Sequence, residues 1–290
     1  MKDNKSHEFE TLIISILLIG GIFILFYPTI SQTWNSYRES KLAQNTSLLY
    51  TKLSIGEKES DLNKATKYNQ SLVGGIVPNV FAIREGQKDE TYESTLNPSG
   101  SGIMGSISIP KINVEIPIYH YTSEEVLEKG CGHIFGSSLP VGGENTHTVL
   151  SAHRGLPSAK LFTDLDLIKE LDHFYIKTLG ETLAYQVDHI ETVDPTDTKS
   201  LAIEAGKDYA TLVTCTPYGI NTKRLLVRGH RVQYSEKVAK KETNKITPKW
   251  TRILSRIVSV LMGLLLAYII KKMGKQFSKE KHKKSKRKYR

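Results

Sequence analysis

"TLVTCTPYGINTKRLLVRGHRV", Thr211–Val232, holds one of the two cysteines in a chain of 290 residues. The apolar run that ends at Cys215 reads as a strand. Pro217 cannot continue a central ladder, so the strand is expected to stop there. The link Thr216–Thr222 is short enough for the next run to return antiparallel beside the first, which brings Arg224 back near Cys215. A side chain at a strand end sits at the rim of a sheet, where a substrate can reach it.

The same texture extends upstream. "IMGSISIP" (Ile103–Pro110) and "VEIPIYH" (Val114–His120) are β-like, with Pro110 and Asn113 marking the break between them. "THTVLSAHRG" (Thr146–Gly155) rises into a strand that ends near His153. "HFYIKTLG" and "TLAYQVDHIETV" flank Gly180-Glu181, a hairpin signal. In the latter run Leu183, Tyr185, Val187 and His189 occupy alternate positions, as in a half-buried strand. Short strands spaced by turns predict a mainly β domain, a barrel or a sandwich, over residues 103–232.

The flanks differ. Residues 1–10 are a short N-terminus. Thr11–Ile30 carry no charge and match the roughly 20 residues a helix needs to cross a bilayer. No small-x-small cleavage pattern follows, so an uncleaved anchor is expected rather than a signal peptide. Residues 31–70 are polar with spaced apolar positions and no proline, and read as a helical stalk. Residues 71–102 read as an irregular loop or lid. Residues 233–250 are a Lys-rich linker, and 251–270 read as a second transmembrane helix with Trp250 and Tyr268 near its ends.

The formal charge of +10 is misleading as a sign of nucleic-acid binding. Lys271–Arg290 hold eleven Lys or Arg against Glu280 alone, so this tail accounts for all of it. The remainder is charge-balanced, and no basic face for nucleic acid is indicated. Positive segments stay inside, which places both termini in the cytoplasm, the β domain outside, and the tail against membrane lipid. Two cysteines make no disulfide framework, and spacing does not decide whether Cys131 and Cys215 pair.

Cys215, His153 and Arg224 together suit acyl transfer. A thiolate attacks a carbonyl, a histidine moves the proton, and a guanidinium offers fixed donors to the developing oxyanion. On spacing alone His133, His147, His173, His189, His230, Arg154 and Arg228 remain alternative partners. Cys131 reads as a packing position.

The quoted segment resembles the catalytic TLxTC segment of the sortases, which is followed by an arginine-bearing strand. "HIFGSSLPVGGENTHTVLSAHRGLP" (His133–Pro157) is similar to the histidine segment of class C, the pilus-assembling sortases. The resemblance spans about Gly105 to Val232, and the two-anchor layout fits the same class. It implies a closed sortase β-barrel with additional N-terminal helices. It implies Cys215 as nucleophile, His153 as general acid/base and Arg224 as the oxyanion or substrate-aligning group. The implied substrate is an LPxTG-like sorting signal, cut between Thr and Gly, and the implied acceptor is a lysine amine of another pilin. No metal or organic cofactor is implied. Many class C sortases carry an Asp-Pro-aromatic lid; residues 61–102 lack that triplet, and the expectation is a flexible segment that leaves Cys215 open. Attachment of surface proteins to peptidoglycan would use the same three residues, and a catalytically silent adhesion module would use none of them.

Overall fold

The structure is a computed structural model that describes residues 3–72, 89–245 and 263. Eight strands close into a barrel: β1 (Ile103–Ile109), β2 (Val114–His120), β3 (Cys131–His133), β4 (Thr146–Ser151), β5 (His173–Thr178), β6 (Glu181–Val193), β7 (Asp208–Thr216) and β8 (Lys223–Val232). Their order around the barrel is β1-β2-β3-β4-β7-β8-β6-β5, closed by β1 against β5. Two joins, β2–β3 and β4–β7, are parallel; the rest are antiparallel.

Local chemistry explains the corners. The β5–β6 turn places Leu179 and Gly180 at φ of 52° and 85°, as a two-residue hairpin with matching twist requires. After β1, Asn113 takes a left-handed φ of 52°, which its short amide tolerates better than most side chains.

Alternation along the strands sorts apolar residues onto two faces. Leu150, Leu212 and Val227 belong to the barrel interior with Ile107, Phe162 and Tyr185. Their neighbours Val149, Val213 and Leu226 form a smaller cluster on the opposite face with Ile134, Leu201 and Val193. The second cluster gives the β4-β7-β8 sheet a part-covered outer surface.

Helix α1 (Asp3–Lys52) packs on β1 and β2, and α2 (Ile55–Leu72) follows it. Tyr50 Oη donates to the Met104 carbonyl at 2.9 Å, which pins α1 to β1. Nearer the N-terminus, Asn35 Nδ2 donates to the Ser158 carbonyl at 2.8 Å. The break between the helices is a reciprocal cap: Ser54 N donates to Glu57 Oε2 at 2.8 Å and Glu57 N donates to Ser54 Oγ at 3.3 Å. Asn69 then imitates a backbone pair with Leu139, accepting from its N–H at 2.7 Å and donating to its carbonyl at 3.2 Å.

The short helix α3 (Glu90–Ser94) lies in the stretch read as a loop. Asp89 caps it by accepting from Tyr92 N at 2.9 Å. Residues 73–88, half of the expected loop or lid, lie outside the described residues. Helix α4 (Glu124–Leu127) links β2 to β3. Part of the expected linker is a further helix, α5 (Glu236–Lys245). Its Glu242 reaches back to β5, 2.8 Å from His173 Nδ1 and accepting from Tyr175 Oη at 2.8 Å.

Among the described residues no helix is long and apolar enough to cross a membrane, so the first expected span is not supported. The first, 11–30, is a part of α1, which runs on without a break into polar turns that pack on the barrel. The second, 251–270, lies outside the described residues apart from Gly263.

Candidate active site

Cys215 is the penultimate residue of β7, and its direct partner across the β7–β8 ladder is Arg224. It shares a strand face with Val213, and Arg224 shares one with Leu226. Both residues therefore belong to the outer face and not to the barrel interior. The thiol is free and half-buried.

On the other side of β7, β4 runs parallel with Ser151 opposite Val213. The pairing outlasts β4: Ala152 N donates to the Val213 carbonyl at 3.2 Å, and Thr214 Oγ1 donates to the Ala152 carbonyl at 2.8 Å. The same register brings His153 level with Cys215. Three neighbouring chains thus deliver His153, Cys215 and Arg224 to one end of one sheet.

His153 keeps a quarter of its side chain exposed, and its Nε2 lies 3.0 Å from Glu124 Oε1. Arg224 Nη1 donates to the carbonyls of Asn221 at 3.3 Å and Lys223 at 3.1 Å. These bonds draw the guanidinium along the β7–β8 turn. Lys223 Nζ pairs with Asp194 at 2.8 Å, joining the start of β8 to the chain just beyond β6.

The alternative partners have other occupations. Arg154 pairs with Asp166 at 2.6 Å, donates to Thr216 Oγ1 at 3.1 Å and to the Thr163 carbonyl at 3.2 Å, and lies over the Tyr218 ring. It ties the chain after His153 to the chain after Cys215. Gly155 lets Tyr218 lie close, since a Cβ there would stand 3.0 Å from the ring. Arg228 bonds Asp188 and Glu204 and stacks on Tyr209.

His133 and His147 are buried, and burial holds each near pKa 4, so both are neutral packing groups at pH 7. His173 is engaged by Glu242, while His189 and His230 face Glu191 and Asp188. Cys131 is also a free thiol, but it is fully buried, and burial pushes its pKa well up. Among the described residues no group of three or more His, Cys, Asp or Glu could hold a metal ion.

Glu124 and the bracing role of Arg154 are not legible in the sequence. "SEEV" reads as any exposed helix start, and its contact with His153 depends on how β3 is laid between β2 and β4.

The sortase-domain family model matches residues 107–232, from the last residues of β1 to the end of β8. Sortase D of Bacillus subtilis is 31% identical over 143 residues, covering 48% of this chain and 69% of that protein. Among solved structures, sortase C1 from Streptococcus agalactiae is 46% identical, with a TM-score of 0.61, over 67% of this chain and all of that one. Sortase C of Streptococcus pneumoniae is 42% identical, with a TM-score of 0.61, over 68% of this chain and 98% of that one. With the same barrel and this likeness across it, the chain belongs to the sortase family of cysteine transpeptidases, and its structural neighbours are class C sortases.

Proposed function

We propose that the protein joins pilins through Cys215, His153 and Arg224. The observation that carries the reading is their arrival, on β7, just past the end of β4, and on β8, at one end of one sheet. Cys215 gives its proton to His153, and the thiolate attacks the Thr carbonyl of an LPxTG-like signal. Arg224 stabilises the oxyanion. The Thr–Gly C–N bond breaks, the Gly amine takes the proton from His153, and a thioester remains on Cys215. A lysine amine of a second pilin attacks the thioester. It yields its proton to His153, which passes it to the departing Cys215 thiolate, and an isopeptide bond and the free thiol remain.

The acceptor is the finer part of this reading. It is supported by the class C neighbours, one of which is described in terms of pilin substrate specificity. Membrane attachment is likewise proposed from sequence: the uncharged run Thr11–Ile30 ends just before Ser31, whose Oγ lies 3.4 Å from the Ser158 carbonyl.

The test of the acceptor mixes the full chain with a purified LPxTG-bearing pilin. Covalent pilin ladders with lysine isopeptide links are expected. Transfer only to a peptidoglycan-type amine would contradict the pilin reading and move the protein to cell-wall attachment.

A further inference from the structure

The family's three reacting groups leave the orientation of the histidine unexplained. His153 follows the end of β4, its backbone carbonyl accepts from Phe162 N at 3.1 Å, and a quarter of its side chain is open to solvent. Among the described residues its Nε2 has one hydrogen-bond partner, Glu124 Oε1, at 3.0 Å. An ionised carboxylate only accepts, so Nε2 carries a hydrogen. In the neutral ring the lone pair is then on Nδ1, the atom left to exchange protons.

Glu124 is itself held in place. Strand β3 pairs with β2 on one side and with β4 on the other, so the connection that carries α4 is tied to the strand that leads into His153. Gly132 lies under the Tyr121–Thr122 backbone so closely that a Cβ there would meet the Tyr121 carbonyl oxygen and stand 3.0 Å from Thr122 Cα. Below this, Tyr92 Oη lies 2.8 Å from His133 Nδ1 and accepts from Tyr121 N at 3.3 Å. His133 Nε2 faces the Ser138 carbonyl at 2.9 Å, so the neutral ring donates there and accepts from Tyr92. This buried cluster sets the start of the loop that presents Glu124.

We infer that Glu124 is a positioning residue for His153, holding the Nε2–H tautomer and countering the imidazolium formed when the ring takes a proton. The inference rests on the role proposed above for His153. Glu124 keeps 68% of its side chain exposed, so the pair adds little stability, and its effect belongs to the reaction. The arrangement is that of a nucleophile, a base and a third group that orients the base.

The experiment compares the full-length wild type with Glu124→Ala, Glu124→Gln and Glu125→Ala in steady-state cleavage of an LPxTG-type peptide. Glu125 is the control, because it pairs with Lys129 and not with His153. Glu124→Ala is expected to lower kcat roughly tenfold with KM within about twofold. Glu124→Gln, which keeps an acceptor oxygen without the charge, falls between it and wild type, and Glu125→Ala matches wild type. An unchanged kcat in Glu124→Ala, or a loss confined to KM, overturns the inference while the sortase reading stands. A folded wild-type enzyme that forms no thioester overturns the functional reading and this inference with it.

Discussion

Cys215 lies directly across the β7–β8 ladder from Arg224, on the face that turns away from the barrel interior. Strand register sets the Arg224 backbone beside Cys215, and its guanidinium, drawn here to the Asn221 and Lys223 carbonyls, is the cation proposed for an oxyanion formed at the thiol. Arg224→Ala is therefore expected to slow acylation by a factor on the order of 100. Arg224→Lys recovers part of the rate, because it restores the charge without the planar fork. Stopped-flow release of the Gly-bearing fragment measures this; equal rates for Arg224→Ala and wild type would contradict it.

Gly132 carries a second prediction. A methyl group there meets backbone of Tyr121 and Thr122, which cannot rotate away. Gly132→Ala is expected to cost about 1–3 kcal/mol of stability and to lower kcat by displacing Glu124 from His153. Denaturant unfolding and peptide cleavage read the two effects. Wild-type values in both would show that the close approach is unimportant.

Glu39 sits buried in α1 where it packs on the barrel, and burial raises its carboxyl to about pKa 7 despite the nearby Arg38. Its folded pKa lies above its unfolded value of 4.5. The fold therefore binds more protons, and stability present below pH 4.5 is lost as pH rises through 7. Glu39→Gln is expected to raise the thermal midpoint by roughly 5 °C at pH 8 and to leave it little changed at pH 4.5. The opposite pH order would contradict a Glu39 carboxyl raised by burial.

His133 and His147 give the opposite slope. Burial takes each from 6.5 to about 4, so between those values the unfolded chain binds more protons than the fold. Stability then falls as pH drops from about 6.5 to 4, by on the order of 3 kcal/mol for each ring at most. Glu39→Gln is the background for the measurement, because it removes one counteracting carboxyl; Asp208, also raised by burial, remains. A flat stability profile over that window in Glu39→Gln would show that the two histidines are not held neutral.

The sequence is most informative where contacts are short-range. Pro217 and the seven-residue link Thr216–Thr222 announce the β7–β8 hairpin, and with it the nearness of Arg224 to Cys215. The alternation in Thr182–Val193 announces β6. It is least informative where parallel pairing brings distant segments together. That His153 stands level with Cys215 depends on the β4–β7 register, and Glu124 reaches His153 only through β3. Helix α3 was hidden because its stability comes from Tyr92, buried among His120, Tyr121, His133 and Phe135, and not from five residues of helix propensity. The uncharged run Thr11–Ile30 reads as a separate span, yet it is continuous with the docked turns of α1.

The most direct test of the central claim is intact-mass spectrometry of the full chain after brief mixing with an LPxTG-type peptide, beside Cys215→Ala. The account predicts an acyl adduct of the peptide up to its Thr, localised to Cys215, removed by hydroxylamine and absent from Cys215→Ala. An adduct that persists in Cys215→Ala, or no adduct on the folded wild type, would contradict it.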